Sequence, residues 1–434
     1  MTSGSLRARH APLNRDIEAN GRATRARVDL DAYEANVRIV RAMLTPGAEL
    51  MAVVKANGYG HGAVAIAQAA VEAGASQLGV ATVAEGRQLR ISGLRAPILV
   101  LGPIDPGEAA KAFRLGLAIA VGTNELLDAA ASAARTSAPA EPAKIHIKVD
   151  TGMRRYGAVP ELALALARRV TADPTLSLAG FFTHFATADE GDETFTRAQA
   201  NQFDQCLDAL DREHIHPGQR HVANSAATLR RRRYDYDLVR CGIALFGLAP
   251  SSDIALPAGL RPVLSVRSRV TRIIDLEPGE TVGYGRQYRA LGREQAALIP
   301  IGYGDGYGRA LSGRGWMGIG CRPAPVRGRV AMDQTVVGLP RDHRTAIGDE
   351  VVVIASTPEE GAPMVSELAD LLGTISYEIV TGLAARIPRL YVRDGRMFAD
   401  EPSSAAVEAP SDGGSGAASG GLRDADGDTA RSLM

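Results

Sequence analysis

Lys55 follows the short apolar run Met51-Ala-Val-Val and opens the glycine-rich stretch Lys55-Ala-Asn-Gly-Tyr-Gly-His-Gly62. An apolar run stopped by glycine reads as a buried strand ending at the lysine. Next to apolar surface an ammonium loses hydration, so its pKa falls and the free amine becomes available for Schiff-base chemistry. A lone lysine of this kind more often snorkels out to water, so Lys55 gains weight only from its company. Polar clusters close four further apolar runs: Lys148-Val-Asp-Thr-Gly-Met-Arg-Arg155, Thr183-His184-Phe185-Ala186, Asn224-Ser225 and Arg240-Cys-Gly-Ile243. Each has a plain alternative: His184 as a satisfied core histidine, Ser225 as a helix cap, Arg240 as a surface cation. Five such clusters at five strand ends are harder to dismiss.

The elements that must position these residues follow a rhythm. Short apolar runs at 51–54, 77–81, 97–101, 117–121, 144–149, 178–182, 220–223 and 238–243 alternate with helix-like stretches such as 64–73, 125–134 and 195–210. Eight strand-like runs alternating with helices predict parallel βα units closed into an α/β, TIM-type (β/α)8 barrel; a doubly wound open sheet is the alternative. Active sites of such barrels lie at the carboxyl ends of the strands, where the five clusters fall. The loops after strands seven and eight commonly hold phosphate, and the Ser225 hydroxyl with the amides of Gly242 and Ile243 would supply donors. A Schiff-base lysine facing a phosphate site points to pyridoxal 5′-phosphate.

Beyond Arg261-Pro262 the pattern changes to short alternating strands with frequent glycine, which predicts a C-terminal, predominantly β-strand domain with one clear helix at 365–372. The expected organisation is an N-terminal arm over 1–24, a barrel over 25–262, a β-domain over 263–400 and a disordered tail over 401–434. That tail is rich in Gly, Ser, Ala and Asp and carries almost no bulky apolar side chain. Forty-nine basic residues balance forty-nine acidic ones, which argues against nucleic acid or an anionic membrane as partner. Three cysteines in no metal-like spacing predict neither a disulfide framework nor a metal site. With no long apolar run and no secretory h-region, a cytoplasmic protein is expected.

In combination, Ala52–Gly62, Lys148–Gly157, Thr183–Asp189, Asn224–Ala227, Arg240–Pro250, Gly283-Tyr284-Gly285, Ile301–Tyr307, Gly328–Gln334 and Ile375–Glu378 resemble the alanine racemase family of two-domain pyridoxal-phosphate enzymes. The resemblance implies an isomerase that interconverts L- and D-alanine, supplying D-alanine for cell-wall peptidoglycan. It implies that Lys55 carries the cofactor as a Schiff base and is one of two opposed bases. Tyr284, from the β-domain of a partner subunit in a homodimer with shared active sites, is the other, with His184 near it. It implies that Arg240 faces the cofactor's pyridine nitrogen. An arginine only donates, so that nitrogen stays unprotonated and electron withdrawal is restrained. By the same resemblance, Arg155 contacts the cofactor's phenolic oxygen and the substrate carboxylate, and Lys148 beside it is carbamylated in many relatives. Tyr59, Ser225, Gly242, Ile243 and Tyr377 match phosphate contacts, with Asn224 beside them. Met332 and Tyr303 match residues reaching the partner's substrate pocket.

Ala331 stands where a cysteine is common in the family, which touches the pocket edge. A broad-specificity amino-acid racemase on the same scaffold is therefore the main alternative. An amino-acid decarboxylase would place an acid where Arg240 stands, and a non-catalytic pyridoxal-phosphate carrier would lack the β-domain. Arg230–Arg233 reads as a solvated helix face.

Overall fold

The computed structural model describes residues 22–137 and 141–399. The tail expected at 401–434, and the arm expected at 1–24 apart from its last three residues, lie outside the described residues.

Eight parallel strands form the barrel, in the spatial order Glu49–Val53, Gln77–Val80, Ile98–Val100, Ala118–Val121, Ala143–Lys148, Leu176–Phe182, Gln219–His221, with Leu238–Cys241 on the other side of Glu49–Val53. Continuous apolar runs are what a strand covered on both faces requires, and Met51, Leu99, Ala118 and Leu238 pack together inside. The ladder runs unbroken through seven pairings, Met51 lying opposite both Gln77 and Arg240. Between Gln219–His221 and Leu238–Cys241 the ring is closed more loosely, by the amides of Asp237 and Arg240 donating to Arg220 and Ala223 carbonyls and by the Arg220–Asp237 ion pair. The expected eight-stranded barrel is therefore present, and each strand lies within two residues of its predicted run.

Helices cover the outside. Leu30–Met43 starts on Asp29, whose carboxylate accepts from the Ala32 amide, and Val83–Ile91 starts on a Thr82/Glu85 capping box. The 19-residue helix Thr194–Arg212 buries Phe203, Cys206 and Leu210 against the barrel.

The C-terminal part is built on a seven-stranded sheet and a three-stranded sheet, Arg272–Leu276, Glu294–Ile299 and Thr335–Gly338. The first strand of the described chain, Arg25–Asp29, lies within this larger sheet rather than against the barrel. It runs antiparallel to Leu264–Arg269 and parallel to Arg389–Arg393. Val365–Leu372 is the expected helix; a second one, Ser376–Thr381, was not foreseen, because six residues are too few for an apolar period to show. Buried Arg389 ties the two parts together by donating to the carbonyls of Gly60, Leu383, Ala384 and Ile387. Among the described residues no helix is long and apolar enough to cross a membrane.

Candidate active site

The first barrel strand ends in an uncommon turn. Ala56, Asn57 and Gly58 all take left-handed φ/ψ near (+55°, +48°), and Tyr59 has φ +52°. The Gly58 and Gly60 amides donate to Val54 and Ala56 carbonyls, making one turn of left-handed helix. Each non-glycine residue so placed costs about 1–2 kcal/mol, so the surroundings must enforce the turn. Glu85 does this from one side: its carboxylate accepts from the Ala56 and Ala81 amides at 2.8 and 2.7 Å. Asn57 caps the next helix through the Ala63 amide, and Arg389 holds Gly60. A Cβ on Gly60 would overlap the Val380 carbonyl, and one on Gly62 the Tyr391 hydroxyl. The turn carries Lys55 at its start and buried Tyr59 at its end to the mouth of the barrel.

There they line a cavity of about 570 Å³, together with Lys148, Arg155, Tyr156, Phe182, His184, Asn224, Ser225, Arg240, Gly242, Ile243 and Tyr377. The size suits a cofactor with a small substrate. Four of the lining side chains are cationic, Lys55, Lys148, Arg155 and Arg240, and none is aspartate or glutamate. Such a cavity selects a ligand carrying several negative charges. Lys55 reaches solvent at the mouth, yet close packing around its amine and the neighbouring Arg155 lower its pKa, against a smaller opposing pull from Glu85. Lys148 is buried, with its amine 4.9 Å from the Tyr156 ring centre, and is drawn down to about 8 by burial and by Arg155 and Arg240.

Arg240, read alternatively as a surface cation, is buried, and burial pulls its guanidinium down to about 9, still charged at neutral pH. It donates to the Thr183 and Val222 carbonyls, to His184 Nδ1 at 3.0 Å and to His221 Nδ1 at 3.0 Å. Because arginine only donates, His184 Nδ1 is a lone pair there and its proton sits on Nε2. Burial, with Arg240 and Lys148 nearby, holds His184 well below the ordinary imidazole range, so it stays neutral.

At the other wall, Asn224 caps the short helix Ser225–Arg230, so the cap is the residue before Ser225. The Ser225 Oγ accepts from the Gly242 amide at 3.0 Å and keeps its own hydrogen to donate. A Cβ on Gly242 would overlap the Tyr59 hydroxyl. Burial pushes both the Tyr59 and Tyr377 phenols up, so both remain donors, with ring centres 6.1 Å apart. The three hydroxyls and the Ile243 backbone form a neutral donor cradle that fits a phosphate group. The two guanidiniums and two amines elsewhere fit a pyridine ring and a carboxylate. This donor set matches pyridoxal 5′-phosphate.

Eleven of the residues singled out in the sequence thus meet in one cavity. Tyr284, Tyr303 and Met332 do not line it; they lie in the β-domain with 73%, 41% and 53% of their surface exposed. Tyr303 and Met332 sit side by side, the Tyr303 amide donating to the Ala331 carbonyl and the Gly304 amide to the Met332 carbonyl. Tyr284 shares a separate depression with Arg329, Ala331 and Gln334. Sequence reading missed Tyr156, Phe182, Glu85 and His221. Of these only Glu85 left a local signal, the Thr82-x-x-Glu85 capping box. Arg230–Arg233 is less free than expected: Arg231 and Arg233 pair with Glu193, and Arg230 donates to backbone carbonyls at Glu190 and Asp253.

Comparison with known proteins agrees with this geometry. Residues 28–250 match the family model for the alanine racemase N-terminal domain, and residues 263–391 that for the alanine racemase C-terminal domain. An alanine racemase of Symbiobacterium thermophilum is 45% identical over 370 residues, covering 85% of this chain and 97% of its own length. The solved alanine racemase of Clostridium difficile superposes with a TM-score of 0.82 at 33% identity, over 87% of this chain and 97% of that one. That of Bacillus anthracis with bound L-Ala-P gives 0.81 at 37% identity, over 89% and 97%. By sequence and by fold, the chain belongs to the alanine racemase family.

Proposed function

We propose that the protein interconverts L- and D-alanine with pyridoxal 5′-phosphate, using Lys55 of one subunit and Tyr284 of the partner subunit as bases on opposite faces of Cα. The observation that carries this reading is the single cavity with four cations, no carboxylate and a neutral donor cradle. When bound, the cofactor supplies an electron sink that acidifies the substrate's Cα–H. Lys55 carries it through its amine, which the lowered pKa keeps available. Tyr59, Ser225, Gly242, Ile243 and Tyr377 hold the phosphate, beside Asn224. Arg240 still has N–H groups without a protein acceptor among the described residues; it orients the ring and, as a donor only, keeps the ring nitrogen unprotonated. Arg155 draws in the substrate carboxylate. The neutral amine of Lys148 adds carbon dioxide and loses a proton, giving a carbamate whose negative charge holds Arg155.

Racemisation needs a proton removed on one face and returned on the other, and Lys55 Nζ supplies one face. The opposite face needs a second base, and burial keeps the Tyr156 phenol of this cavity protonated. The exposed trio Tyr284, Tyr303 and Met332 supplies it in a homodimer with shared active sites, where His184 Nε2–H donates to the Tyr284 oxygen. The protein works in the cytoplasm, and its D-alanine product supplies cell-wall peptidoglycan. The test is chiral analysis of L-alanine incubated with purified protein and cofactor. Appearance of D-alanine up to an equal mixture is expected, and unchanged optical composition overturns the reading. The same assay with larger amino acids measures how far Ala331 widens the pocket.

A further inference from the structure

The hydrogen bonds that fix Arg240 continue past the cavity wall into the middle of the barrel. His221 Nδ1 receives Arg240 at 3.0 Å, and His221 Nε2 lies 3.0 Å from His146 Nδ1. Both rings are buried. With a donor-only group at its Nδ1, His221 must carry its proton on Nε2 and donate it to His146. His146 Nδ1 must then be a lone pair as well. One guanidinium thereby dictates the tautomer of both rings, and a proton added at either junction would set N–H against N–H. The site is shaped for this. Phe182 stacks on His221 at 4.5 Å with 9° between planes, which stops the ring from swinging aside. Opposite His146 is Gly180, where a Cβ would overlap His146 Nδ1. The strand register slips between Ile145 and His146 at that point.

We propose that His146 is a positioning residue for the reaction: as the terminal acceptor of this chain it holds His221, and through it Arg240, in the orientation that presents the guanidinium to the cavity. The inference rests on the reading of Arg240 given above. Without the acceptor, the His221 Nε2–H is orphaned in an apolar interior at a cost of about 1–3 kcal/mol. Turning the ring over relieves that cost but breaks the bond to Arg240.

The test compares His146→Asn with His146→Gln in the full-length holoenzyme. Asparagine sets its Oδ1 near the place of the lost Nδ1, whereas the glutamine oxygen reaches about one bond further; the two are alike in polarity. His146→Gln is expected to lose about tenfold in kcat and to alter the absorption band of the bound cofactor. His146→Asn should keep both within about twofold. In cofactor-free protein labelled with 15N-histidine, His221 should show a protonated Nε2 in wild type and in His146→Asn, and should lose that single tautomer in His146→Gln. If the two variants match in kcat, spectrum and His221 tautomer, the inference fails. If wild type itself neither racemises alanine nor takes up cofactor, the proposed function fails instead, while the tautomer comparison still decides the role of His146 in holding His221.

Discussion

Acidification from about pH 7.5 to about 5.5 is expected to remove about 4 kcal/mol of stability through three histidines alone. His61, His146 and His221 are buried, and burial holds them at about 4, at about 3 and well below 6.5, respectively. In the native state each stays neutral across that interval, whereas in the unfolded chain each takes up a proton below 6.5. A depressed native pKa of a base means that stability is complete above 6.5 and is lost as the pH falls from there toward the native values. One unit below 6.5 the loss is about 1.4 kcal/mol per group, hence about 4 kcal/mol for three. His184 shifts in the same direction and adds to it. Carboxylates such as Asp237 and Glu360, held below their usual range by Arg220 and Arg267, contribute losses only at lower pH, so the interval isolates the imidazoles. The assay is urea unfolding at both pH values, at fixed protein concentration and ionic strength, since an oligomer's stability depends on concentration. Equal midpoints with equal slopes would refute the reasoning, as would native imidazoles titrating near 6.5 by NMR.

Two substitutions probe the cavity directly, and a third probes the base proposed to come from the partner subunit. Lys55→Ala should abolish both racemisation and the visible absorbance of protein incubated with cofactor. Gly242→Ala adds a methyl against the Tyr59 hydroxyl; overpacking of about 1–3 kcal/mol should weaken cofactor binding about ten- to hundredfold, read by spectrophotometric titration. Tyr284→Phe should leave the cofactor absorbance intact while racemisation falls by about 10² or more, and full activity would remove Tyr284 from the chemistry.

The barrel was readable because parallel strands covered on both faces must be continuously apolar, and each run announced itself within a few residues. The cavity was readable for a related reason: a polar group directly after such a run has few places to go but the rim. What stayed hidden depended on pairings across the ring. His146 sits inside an ordinary strand pattern, and nothing local says that its ring meets one 75 positions away. The left-handed turn at 56–59 was equally silent, since Gly58 and Asn57 tolerate that conformation but Ala56 and Tyr59 do not, and Glu85 from another strand–helix unit helps to enforce it. The place of Arg25–Asp29 was silent too, since its strand neighbours come from the far end of the chain and no propensity encodes them.

That placement of Arg25–Asp29 has a consequence for how a ribosome delivers the molecule. Every barrel strand, from Glu49 to Cys241, emerges before the seven-stranded sheet can close around its first-made member. The leading segment must wait unpaired until Leu264–Arg269 and then Arg389–Arg393 arrive to flank it. Nascent chains arrested once residue 262 has cleared the exit tunnel should therefore hold a formed barrel with a protease-sensitive leader, and protection of that leader should come only once residue 393 has cleared it too.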